Sequence, residues 1–145
     1  MLKQRVLTAL ALLLVLLPAL FYAQPEPFFI IAGVFIVAGG WEWARMNGLN
    51  STLSLVAGAL CAAFCAWAWW AGLLAMALPR VWLVAGAIWV LAGAWILKAG
   101  VPAWANFALP LRLALGLAAL CLTWLAVAQA RLLGVNFLLS VLALV

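Results

Sequence analysis

The sequence has no aspartate and no histidine, and its carboxylates number two, Glu26 and Glu42, in 145 residues. Zinc sites, Ser/His/Asp and Cys/His triads and histidine-based acid–base catalysis all need residue types that are missing. Glu26 and Glu42 flank an apolar stretch long enough to be read as a membrane span, and that spacing argues against their meeting as a catalytic dyad. Charge is scarce as well: 6% of residues are charged, against about 25% in an ordinary soluble domain. The chain is therefore not expected to complete a hydrolytic or metal-assisted active site alone.

What is present is apolar. Hydrophobic residues make up 73% of the chain and mean hydropathy is +1.38, more apolar surface than a soluble domain of this length can hide. The reading is an all-α fold, a polytopic transmembrane helical bundle of about five to six spans forming one domain over residues 1–145. The net charge of +5 comes from basic residues scattered singly between apolar runs, which fits membrane topology and excludes a nucleic-acid footprint. Cys61, Cys65 and Cys121 form no C-x-x-C pair and have no histidine to join as metal ligands. Cys61 and Cys65, four apart, share one helix face; buried packing is favoured over an oxidant-sensing thiol pair.

Apolar runs place candidate spans at residues 6–22, 28–43, 53–78, 81–97, 111–128 and 132–145. Gln24-Pro25-Glu26-Pro27 forces a turn between the first two. Asn47-Gly48 closes the second through a left-handed residue, Asn50 or Ser51 caps the third, and Pro79-Arg80 ends it. Residues 98–110, with Pro102, Trp104 and Asn106, read as an interfacial loop. Lys3 and Arg5 before an apolar run resemble a secretory signal, but Phe21-Tyr22-Ala23 puts Phe where a peptidase needs a small residue, so a retained first helix is expected. A cytoplasmic N-terminus puts Lys3, Arg5, Arg45, Lys98 and Arg112 inside against Arg80 and Arg131 outside, the favoured orientation in a cytoplasmic membrane. The last run is short and ends apolar at Val145, which reads as a truncation, with a short re-entrant or tilted terminal helix as the alternative.

Two features stand out locally. In Gly39-Gly40-Trp41-Glu42-Trp43-Ala44-Arg45, a charged pair three residues apart sits among interfacial tryptophans. Glu42 and Arg45 either face a polar cavity that admits a lipid head group or form an interfacial anchor beside an aromatic belt. Gly86, Gly93 and Gly100 recur every seven residues with Ala85, Ala92 and Ala99 beside them, a smooth face that predicts helix packing within the chain or across a homodimer. Trp89 and Trp67 lie deeper in their spans and are expected to be packing residues. No phosphate-binding glycine loop and no internal repeat is evident.

The opening Met1-Leu2-Lys3-Gln4-Arg5-Val6-Leu7-Thr8-Ala9-Leu10, taken with Trp41-Glu42-Trp43-Ala44-Arg45, resembles bacterial phosphatidate cytidylyltransferase, the CDP-diacylglycerol synthase family. The resemblance covers the whole chain and corresponds to about the N-terminal half of the family's length. It implies a phospholipid-biosynthetic nucleotidyltransferase that joins CTP and phosphatidic acid into CDP-diacylglycerol and pyrophosphate, with Mg²⁺ held by aspartates. The family's Asp-bearing motifs and His-containing signature lie downstream of the matched region and have no counterpart here. Residues 138–145 resemble the apolar run that leads into its first Asp-bearing segment. The resemblance therefore implies no catalytic residue and no cofactor bound by this chain, no activity of this chain by itself, and partners that are membrane lipids, with phosphatidic acid and CTP for the complete enzyme. Two rivals are a non-enzymatic membrane scaffold or binding protein complete at this length and, more weakly, a small transporter subunit, since no span carries a central charge.

Overall fold

The computed structural model of the chain describes residues 2–100 and 106–144, with side chains from residue 12 onward. Within them there are six helices and no strand: α1 (Leu2–Phe21), α2 (Glu26–Met46), α3 (Ser51–Trp70), α4 (Pro79–Ala99), α5 (Leu109–Leu133) and α6 (Val135–Leu144). Four of them, α2 to α5, are long and apolar enough to cross a membrane. The all-α, multi-pass architecture read from composition is thus what the chain adopts. At about 1.5 Å per residue, the ten residues of α6 reach only about 15 Å, half the hydrocarbon thickness.

The helix ends follow local chemistry. Pro25 precedes Glu26, which places an acidic side chain in the positive first turn of α2. At the other end, Gly48 takes φ +87°, and the Leu49 and Gly48 amides donate to the Ala44 and Arg45 carbonyls, closing α2 through a Schellman turn. The Asn50 Oδ1 then accepts the Leu53 amide at 2.8 Å, capping α3. Arg45, Lys98 and Arg131 each lie in the last turn of their helix, where the dipole favours a cation.

The third span is shorter than the apolar run that suggested it. It stops at Trp70 because Gly72 adopts φ +73° and the Leu73 and Gly72 amides donate to the Ala68 and Trp69 carbonyls, the same Schellman closure. Apolarity alone hid this break, since Leu73 and Leu74 continue the run while the backbone has already turned. Pro79 accordingly does not end α3 but opens α4, in the first turn where its missing amide is not needed. The expected loop over residues 98–110 also contracts: α4 runs to Ala99 and α5 begins at Leu109. Pro102, Trp104 and the terminal Val145 lie outside the described residues, as do the side chains of Lys3 and Arg5.

The centre of the bundle is α2 packed against both α3 and α5, with α3 also touching α5, α1 laid on α2 and α6 on α5. The α2–α3 seam is built from small residues: Gly40, Ala44, Ser54, Ala57, Gly58 and Cys61 are all buried. A Cβ at Gly40 would stand 2.7 Å from the Cys61 Sγ, and one at Gly58 would stand 3.1 Å from the Val37 carbonyl oxygen. In lipid, where association rests on close packing, this approach is what joins the two helices. Gly86 and Gly93 meet nothing within 4 Å, and Gly100 is the α4 C-cap at φ +78°. Among the described residues, then, Gly86 and Gly93 of the seven-residue repeat face open space, and α4 has no buried residue.

The tryptophans also sort differently from expectation. Trp89 and Trp67 are 74% and 53% exposed, and the most buried of the described tryptophans is Trp124, 2% exposed in α5. Depth along a span says nothing of which side faces the bundle. Trp89 lies on the uncovered α4, whereas Trp124 points at α2 and donates its Nε1–H to the Phe29 carbonyl at 3.0 Å.

Candidate functional site

Polar side chains gather at the two ends of the bundle, which the alternating helices keep apart. One end holds the close of α2 and the start of α5. Along α2, Gly40 and Ala44 face inward, whereas Glu42, on the opposite face, and Arg45 are both exposed. Arg45 is not ion-paired to Glu42; its guanidinium carbon lies 5.0 Å from the centre of the Trp41 ring. The i, i+4 geometry brings the two side chains together, and an exposed guanidinium keeps its solvation while resting on the indole face.

Trp43, next to this pair, does the opposite and turns in. Its indole fills the notch left by Gly116 of α5, in the space a Cβ there would occupy, and its Nε1–H donates to the Arg112 carbonyl at 3.3 Å. The Asn47 Nδ2 donates back to the Trp43 carbonyl at 2.9 Å. Trp43 is therefore a bolt between α2 and α5, while Glu42 and Arg45 lie on the exposed outer surface of α2.

The other end is held by residues that the sequence did not mark as functional. Gln129 of α5 donates its Nε2–H bonds to the Leu73 carbonyl at 2.8 Å and the Met76 carbonyl at 2.9 Å. Its Oε1 accepts the Trp82 Nε1–H at 2.9 Å. One amide thereby satisfies the α3–α4 connection and the first turn of α4 together. Arg131, 9% exposed, donates from Nη2 to the Tyr22 carbonyl at 2.7 Å, fixing the end of α1 to the end of α5. A signal for both was available: isolated polar residues inside a long apolar run are rarely idle in a membrane.

The three cysteines come to one region. Cys61 and Cys65 are buried and Cys121 is partly buried. Among the described residues no group of three or more His, Cys, Asp or Glu side chains could hold a metal ion. The two carboxylates are far apart: residues 26 and 42 sit about 24 Å from one another along α2 at ~1.5 Å per residue. A divalent ion that wants several oxygen ligands in one shell does not fit these residues.

Comparison with known proteins gives one substantial similarity. Over 95 residues the chain is 36% identical to the phosphatidate cytidylyltransferase of Pseudomonas aeruginosa, a stretch that is 66% of this chain and 32% of that protein. The chain thus spans about a third of the length of the curated relative it matches. The family resemblance is borne out as a partial match, over 66% of the chain and not the whole of it. No family model matches the chain. No solved structure matches it either.

Proposed function

We propose that this chain is the membrane-embedded part of a phosphatidate cytidylyltransferase, the enzyme that forms CDP-diacylglycerol and pyrophosphate from CTP and phosphatidic acid. The observation that carries the reading is the 36% identity over 95 residues. The all-helical bundle with four helices of spanning length supports it, because the lipid substrate resides in a bilayer.

Nucleotidyl transfer needs carboxylates to hold Mg²⁺ against a triphosphate and cationic donors for the departing pyrophosphate. Glu26 and Glu42, at opposite ends of α2, cannot share an ion. The role assigned to these 145 residues is therefore a scaffold: a close-packed α2–α3–α5 core bolted by Trp43 and Gln129, with Glu42 and Arg45 anchoring one rim at the headgroup layer. The metal-binding carboxylates come from outside this sequence. The reading carries with it a multi-pass location in the cytoplasmic membrane, with the Arg45, Lys98 and Arg112 end on the cytoplasmic side where CTP is found.

The test is transfer of label from CTP into CDP-diacylglycerol. Membranes holding this chain alone are expected to give none. A fusion of the chain to the segment of the Pseudomonas aeruginosa relative that it does not match is expected to restore turnover. Turnover by the chain alone would overturn the scaffold role, and a folded but inactive fusion would favour the non-enzymatic scaffold instead.

A further inference from the structure

The turn that closes α2 carries a reactive dipeptide. In Asn47-Gly48 the backbone amide that follows the asparagine has no Cβ beside it to obstruct its approach to the asparagine side-chain carbonyl. The pair stands beyond Met46, the last residue of the α2 span, and Gly48 is exposed with nothing within 4 Å of where a Cβ would lie. The other asparagines, Asn50, Asn106 and Asn136, precede Ser51, Phe107 and Phe137, whose side chains crowd the same approach.

Attack of the Gly48 nitrogen on the Asn47 Cγ forms a cyclic imide as the Cγ–Nδ2 bond breaks and ammonia leaves. Water then opens the ring at either carbonyl, and aspartate or isoaspartate stands at position 47. The net change is one water taken up and one ammonia lost, with no oxidant and no other reactant.

The closed turn withholds each part of this reaction. The nucleophile is engaged, since the Gly48 amide donates to the Arg45 carbonyl at 2.9 Å. The leaving group is engaged too, since the Asn47 Nδ2 donates to the Trp43 carbonyl at 2.9 Å. Asn47 has φ −86° and ψ 9°, which turns the Gly48 nitrogen toward the Asn47 amide nitrogen, whereas ring closure needs it eclipsed with Cβ. Reaction therefore waits on local opening of the turn. Its product opposes reclosure. A carboxylate cannot donate to the Trp43 carbonyl, and it adds negative charge at the negative end of the α2 dipole. Trp43 is the residue whose indole joins α2 to α5, so the change falls beside that bolt.

We propose that Asn47 is a site of spontaneous deamidation, that the reaction proceeds only from the opened turn, and that the carboxylate it leaves favours the open form. The site does not depend on the chain being part of a cytidylyltransferase, and its test has no catalytic readout.

The experiment is peptide mass spectrometry of the whole chain incubated at mildly alkaline pH, in lipid nanodiscs and denatured in detergent with urea. In both, Asn47 is expected to convert ahead of Asn50, Asn106 and Asn136. Conversion in nanodiscs should be about tenfold or more slower than in the denatured chain, the cost of opening the turn. Leu49→Ser removes the half-buried apolar side chain that accompanies a Schellman turn and leaves Asn47-Gly48 intact. It should speed conversion about fivefold in nanodiscs and not at all in the denatured chain. Asn47→Asp supplies the product directly, and hydrogen exchange of the Gly48 and Leu49 amides, which donate to Arg45 and Ala44, should rise about fivefold. Equal rates in nanodiscs and in the denatured chain would overturn the gate, as would a Leu49→Ser variant that converts like the parent. Conversion confined to the denatured chain, with parent and Leu49→Ser both intact in nanodiscs, would overturn the site, and parental exchange in Asn47→Asp would overturn the effect of the product.

Discussion

Replacing Gln129 by Leu keeps side-chain bulk and removes three hydrogen bonds at once, leaving the Met76 carbonyl and the Trp82 indole N–H without this partner and the Leu73 carbonyl with the Met76 amide alone. Helix α4 has little else to hold it. Its residues are nowhere buried, and near this joint Leu73, Leu74, Leu78 and Trp82 reach the core. Hydrogen bonds between membrane helices average about 0.6 kcal/mol each, so three amount to roughly 2 kcal/mol. At about 1.4 kcal/mol per factor of ten, opening of the joint should become about thirtyfold more frequent. The amides that report it are those of Leu73, Ala75 and Met76, which donate to Ala68, Gly72 and Leu73 in the closed turn. Hydrogen exchange of the chain in lipid nanodiscs should show these amides exchanging about thirtyfold faster in Gln129→Leu, with the centre of α3 unchanged. Trp82→Phe cuts one bond of the three and should accelerate them only about threefold. Exchange within a factor of about two of the parent in Gln129→Leu would refute the clasp as the tether of α4.

Gly40→Ala drives a methyl group to 2.7 Å from the Cys61 Sγ and should destabilise the bundle by about 1–3 kcal/mol through overpacking. Adding Cys61→Ala should recover much of that loss in a detergent unfolding titration, and failure to do so would mean the seam is not where the helices meet. Trp124→Phe removes the bond to the Phe29 carbonyl and should cost about 1 kcal/mol in the same titration, whereas Trp89→Phe, on an exposed side chain, should change it by less than about 0.5 kcal/mol. Glu42→Gln in the active fusion should leave turnover nearly unchanged, because Glu42 is exposed and Arg45 rests on Trp41 without it. A large drop in turnover at equal expression would assign Glu42 to the substrate.

Most helix boundaries were legible in the sequence, because they are local. Proline geometry at Pro25, the left-handed Gly48 and the Asn50 cap act within a few residues of themselves, and each stands where the pattern placed it. The premature end of α3 at Gly72 is the exception that shows the limit: inside an unbroken apolar run, hydropathy cannot register a turn of the backbone. Which faces pack could not be read before the chain was folded. In a soluble protein a helix advertises its inner face by being apolar there, but in these spans both faces are apolar, one for the bundle and one for lipid. Two sets of glycines therefore looked alike in the sequence. Those of α2 and α3, Gly40 and Gly58, are pressed against a neighbouring helix, and Gly86 and Gly93 of α4 meet open space. The same ambiguity hid Trp124 behind Trp89. It also concealed the clasps of Gln129 and Arg131, whose acceptors are backbone carbonyls more than 50 residues away and become partners only when the chain has folded.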